Sequence, residues 1–203
     1  MRCFALVVCL LASVQGPPTA TAEPQTPPLA LRWVSSQVDV DARIAGNTDE
    51  AQLSVAAAYS WVSGRPVADA DGRAAGFRFA LGVAGEAGSV SSNRCKLAVD
   101  CFIVRAGPSL QLEWSAGDVR RQHVSSDRAY FVRLVPHAAW VDAGREDDGF
   151  EIGASLGLGA AFSITKKGLT LAASTKTIMT LQALATVERG TWLLGVGFGL
   201  SLR

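Results

Sequence analysis

The stretch QHVSSD, residues 122–127, brings together His123, Ser125 and Asp127, the residue types of acyl transfer. A serine hydroxyl becomes a nucleophile when a histidine takes its proton and a carboxylate orients that histidine. Asp127 is close in sequence, but the segment reads as a turn, which does not hold three side chains in that arrangement. The other histidine, His137, falls on the polar row of an alternating segment and is expected to be a hydrogen-bonded interior residue rather than a base. With both histidines so placed, an Asp–His protease arrangement finds no support. Cysteine offers no metal site either: Cys95-x5-Cys101 is not a usual zinc spacing, and only the two histidines could complete it. No catalytic residue, no metal and no cofactor are therefore expected.

The segments that carry these residues alternate with period two, the repeat of a strand with two unlike faces. In VSSQVDVDARI, Val38, Val40, Ala42 and Ile44 oppose Gln37, Asp39, Asp41 and Arg43. Further on, Leu53, Val55, Ala57, Tyr59 and Trp61 form one apolar row, and Phe77, Phe79, Leu81 and Val83 another, facing away from Arg78 and Glu86. Val104, Leu110, Leu112 and Trp114 alternate with Arg105 and Glu113; Tyr130, Val132, Leu134 and Trp140 with Arg133; Phe150 and Ile152 with Glu151; Leu181 and Val187 with Gln182 and Glu188. The chain closes on TWLLGVGFGLSLR, where Trp192 opens a row ending at Leu202. About eight strands result, separated by turn chemistry in AGNTDE, SGRPVADADG, GSVSSNRC, AGDVRRQHVSSD, DAGREDDG, TKKG and ERG.

Two folds suit such strands. A soluble sandwich or lipocalin-type barrel buries the apolar row, whereas a membrane barrel turns it outward. The aromatic residues favour the second: Tyr59, Trp61, Trp114, Tyr130, Trp140 and Trp192 lie on the apolar rows and near strand ends, where belts at the two headgroup levels require them. Trp33 does not keep this parity. The polar rows repeat charges of both signs beside small residues such as Ala56, Ala58, Gly82 and Gly157, which suits a cramped lumen. Asp39, Asp41, Arg43, Arg78, Glu86, Arg105, Glu113, Arg133, Glu151 and Glu188 are expected to form a charge network there.

The leader agrees. Arg2 followed by the apolar run Phe4–Val14 and by Ala20-Thr21-Ala22 reads as a secretory signal peptide over residues 1–22, cleaved before Glu23. A Pro-rich spacer (23–28) and a barrel (29–203) come next. Cleavage removes Cys3 and Cys9, leaving Cys95 and Cys101 to form a local disulfide in an oxidising compartment, worth roughly 2 kcal/mol in the chain-entropy model. With 19 Lys and Arg against 18 Asp and Glu, no basic excess points to nucleic acid.

The ending Gly197, Leu200 and Leu202 resembles the Gly-x-x-apolar-x-apolar signal of small Gram-negative outer-membrane barrels, although that family usually finishes on an aromatic residue and this chain adds Arg203. The resemblance implies an all-β, antiparallel, up-and-down transmembrane barrel of about eight strands. It also implies export to the outer membrane, with outer-membrane lipid and the barrel-assembly machinery as partners. His123-x-Ser125 separately resembles the His-x-Ser of lipid A deacylases. That family sets its carboxylate on a neighbouring strand, however, and this stretch falls on the periplasmic side, away from an outer-leaflet substrate. A non-enzymatic barrel with a side-chain-filled lumen, structural or loop-displaying, is expected. A narrow channel and a soluble periplasmic binding barrel are the alternatives; no extracellular partner can be named.

Overall fold

A sheet whose strands alternate apolar and charged residues needs a separate environment for each face. In the computed structural model the chain achieves this by closing the sheet on itself. The structure describes residues 31–33, 36–92, 101–120, 123–142, 149–163, 169–172, 175–188 and 190–203. Eight long strands form the wall: β1 (Ser36–Gly46), β2 (Glu50–Ser63), β3 (Arg73–Ser92), β4 (Cys101–Arg120), β5 (His123–Asp142), β6 (Gly149–Phe162), β7 (Thr175–Glu188) and β8 (Thr191–Leu202). Each pairs antiparallel with the next. β8 then returns to β1, with Val38 opposite Leu202 and Gly46 opposite Leu194. The result is an all-β, antiparallel, closed eight-stranded barrel, and no helix occurs among the described residues. The proposed signal peptide, its cleavage site and the spacer lie outside the described residues.

Burial tracks the alternation. Val40, Ile44, Leu53, Val55, Leu81, Leu112, Leu134, Leu158 and Leu194 face outward, while Asp39, Asp41, Arg78, Arg105, Glu113 and Arg133 are almost wholly enclosed. Nothing inside resembles an apolar barrel core; the three clusters of buried apolar side chains are small and lie near the ends of the wall.

The structure differs from the sequence expectation in three places. Most of AGDVRRQHVSSD, expected as a turn, is strand: β4 runs to Arg120 and β5 resumes at His123, so this hairpin reaches past the end of β6. A bulge makes this possible. Ala116 pairs with Arg128 and Gly117 with Ser126, leaving Asp127 as the extra residue and shifting the side-chain parity of β5 below it. Asp127 is held by the Arg73 guanidinium at 2.8 Å, and its carbonyl accepts the Ser163 N–H. Second, a short strand beyond the eight expected, Leu169–Ala172, pairs with Thr175–Thr177.

Third, Trp33 belongs to no wall strand. Arg32–Trp33 pairs parallel with His123–Val124, on the edge of β5 that β6 does not reach. β5 stands across the barrel from β1, so this segment straps the mouth at which β1 begins. Trp33 is 4% exposed there and packs with Ala74 and Val124, against Leu31, Val62 and Val119. Its broken parity has this cause: it caps the lumen instead of lining the wall.

Pro108 and Pro136 interrupt the wall. The β4–β5 register is the same on both sides of a gap, Ala106 opposite Ala138 and Leu110 opposite Leu134, which sets the two prolines directly opposite each other. The pairs at 107–109 are missing. Two facing residues of a hydrogen-bonded pair would each donate one rung, so two proline nitrogens pointing into the ladder remove both. Both prolines face outward, and their other neighbours, Val83 and Ala154, remain paired. Replacing Pro108 with Val restores one donor. The urea unfolding midpoint of the refolded protein should then rise, by about 1 kcal/mol of stability; an unchanged or lower midpoint would show that the gap is not a missing-donor defect.

Candidate functional site

Among the described residues the strands build two faces, the lumen and the outer wall. In the lumen, inward residues of β1, β3, β4, β5, β7 and β8 place guanidinium and carboxylate groups at ion-pairing distance. Nearest the strapped mouth, Glu113 accepts from Arg78 Nε at 2.7 Å and from Arg203 Nη1 at 2.5 Å. The Arg78 guanidinium also lies over the Trp33 ring, 5.8 Å from its centroid, and donates to Gln37 Oε1 at 2.9 Å. Gln37 donates to Asp39, which is paired with Arg133. Arg133 also donates to Gln111, and Gln111 to Glu113, each at 2.7 Å.

Asp41 carries the network further. Thr180 Oγ1 and Gln182 Nε2 donate to it at 2.8 and 3.0 Å, and Arg133 and Arg43 approach at 3.5 and 3.6 Å. Arg43 reaches Glu86 at 2.8 Å; Ser54 donates to Glu86 at 2.6 Å, and Arg105 at 2.8 Å. Arg105 in turn grips Glu188 with two nitrogens and donates to Gln52. His137 ends the path, with Nε2 at 2.7 Å from Glu188 and Nδ1 at 3.1 Å from the Val135 carbonyl. One unbroken line of hydrogen bonds and ion pairs therefore runs from Arg203 to His137. Glu151 is buried on β6 opposite Ala139 and is also engaged.

Several members were not singled out in the sequence. Gln37, Gln52, Gln111, Thr180, Gln182 and Arg203 are all enclosed, and all sit on polar rows. Parity alone was the available signal: Arg203 continues the inward row of Gly197, Gly199 and Ser201.

The residues considered for acyl transfer all lie on β5. His123 lies opposite Arg120 and Ser125 opposite Asp118 in the extended hairpin, and the Asp127 carboxylate is turned to Arg73. His137 is committed to Glu188 and a carbonyl. Cys101 opens β4, and Cys95 lies outside the described residues. No group of three or more His, Cys, Asp or Glu able to hold a metal ion occurs among the described residues.

On the outer wall the aromatic residues fall at two levels. Trp114 stacks on Tyr130 with ring centroids 6.1 Å apart, and Phe77 is next in the same row of paired residues. Tyr59 and Trp61 meet edge to face, 5.1 Å apart, near the same end of β2. At the opposite end Trp140 pairs with Phe150, and Trp192 with Val187. Trp61, Tyr130, Trp140 and Trp192 are each at least half exposed. Leu200 and Leu202 lie on the outward row of β8, whereas Gly197 faces inward against Gln182.

No protein-family model and no curated protein sequence matches the chain. Among solved structures it is similar to Neisserial surface protein A (NspA), with a TM-score of 0.49 and 15% identity, over 83% of this chain and 96% of that one.

The line of ion pairs makes a specific demand. Replacing Arg105 with Leu leaves Glu188 and Glu86 each short of a cation in an enclosed site, which should destabilise the folded barrel by about 3–5 kcal/mol. The double replacement Arg105→Leu, Glu188→Leu should cost less than the sum of the single ones. Urea midpoints of the three variants provide the check, and a strictly additive pair would mean that these groups do not interact.

Proposed function

We propose that this chain is a non-enzymatic outer-membrane barrel whose charge-paired lumen passes no solutes, and which acts as a structural or surface element through its lipid-facing wall and loop end. The observation that carries this reading is the outward apolar band between two aromatic levels. On β5, Tyr130 and Trp140 are ten residues apart. At about 3.4 Å per residue and a tilt of roughly 40°, they stand about 26 Å apart along the barrel axis. An outer-membrane barrel presents an apolar band roughly 25 Å tall, bounded by aromatic girdles. A soluble barrel has no reason to keep that spacing.

Tyr59, Trp61, Trp114, Tyr130, Trp140 and Trp192 are read as the two girdles. The lumen charges are read as a filling, because eight strands enclose only enough space for side chains. The same reading includes removal of residues 1–22 during export and recognition of Gly197, Leu200 and Leu202 by the barrel-assembly machinery.

Two measurements test the reading. In bilayers, lipids brominated near the glycerol end of the acyl chain should quench tryptophan emission more than lipids brominated at mid-chain. A variant retaining only Trp33 should escape quenching. A protein that stays monomeric and folded without detergent would instead be the soluble binding barrel. In planar bilayers the pure folded protein should give no steady nanosiemens-scale channels, and their appearance would promote the pore.

The Cys95–Cys101 disulfide belongs to the same proposal, supported by Cys101 being disulfide-bonded. Thiol labelling of untreated cells should detect neither cysteine before reduction.

A further inference from the structure

A small cavity lies on the lumen side of the wall beside the proline gap. Ala84, Ala106, Val135 and His137 line it from the wall, and Arg43 and Arg105 from the interior. Ala106 is the last paired residue above the gap, and Val135 and His137 flank Pro136. The space inside is about 10 Å³, which is room for roughly one water molecule. Arg43 is only 8% exposed, and its Nε–H has no hydrogen-bond partner although its terminal nitrogens are bound to Glu86 and Asp41. A buried guanidinium donor without an acceptor is costly. Glu86 and Ser155, each carrying an acceptor oxygen, border the same space.

We infer that this cavity is a binding site for a single structural water, which accepts from Arg43 Nε and donates to an oxygen of Glu86 or Ser155. The water links the ion-pair line to the wall. A water suits both sides because it accepts and donates at once. A cation would oppose Arg43 and Arg105, and an anion would oppose the Glu86 carboxylate. An empty void would leave Arg43 Nε unsatisfied.

A crystal structure of the full folded protein at a resolution that shows ordered water gives the direct test. Density for one water within hydrogen-bonding distance of Arg43 Nε, with a second contact to Glu86 or Ser155, is expected. A cavity that is empty or filled by hydrocarbon would overturn the inference. Ala84→Val supplies an independent sign test, since its added methyl groups enter the same space. If they displace a bound water the urea midpoint falls; if they fill a dry void it stays level or rises, and the inference fails.

Discussion

Every other feature of this fold depends on the ladder between β8 and β1. A sheet of these strands left open would present two edges of unpaired N–H and C=O groups, which no hydrocarbon environment can satisfy. Pairing Val38 with Leu202 and continuing to Gly46 and Leu194 removes both edges. Closure also fixes the inventory of the interior. Once the apolar rows are outside, the charged side chains from Asp39 to Arg203 and several glutamines are committed to a space that water barely enters, and they must find their partners there.

The enclosed charges show how that confinement is met. Buried ion pairs add little net stability compared with apolar residues of similar volume, but a broken pair is expensive. Here each arginine touches more than one acceptor, and the glutamines fill the steps between charges: Gln37 joins Arg78 to Asp39, and Gln111 joins Arg133 to Glu113. The amides matter because a glutamine both donates and accepts, so the line can continue where two charges are too far apart. Such a network specifies the register of eight strands more than it strengthens them. A slip by one residue would turn every charged row toward the outside.

The architecture was legible in the sequence because alternation is local: Val38 to Ile44 and Trp192 to Leu202 announce their faces within a single strand. Facing prolines were legible too, once Pro108 and Pro136 were counted from a shared turn. The partners across the barrel were not. Arg133 meets Asp39 only because closure brings β5 opposite β1, and no spacing in the chain encodes that meeting. The bulge at Asp127 was hidden by composition, since HVSSD carries the polar residues of a turn yet lies within a paired strand. Trp33 gave only a negative signal, a break in parity, with nothing to say where its ring would go.

The strap at Arg32–Trp33 has a consequence for the order in which this molecule can be assembled. Trp33 is enclosed by side chains from four successive strands: Val62 of β2, Ala74 of β3, Val119 of β4 and Val124 of β5. Although it precedes all of them in the chain, its seat does not exist until the extended hairpin of β4 and β5 stands. The earliest described residues are therefore late arrivals. The ring also lies against the Arg78 guanidinium, so seating one indole covers the Arg78–Glu113 pair from solvent at that mouth.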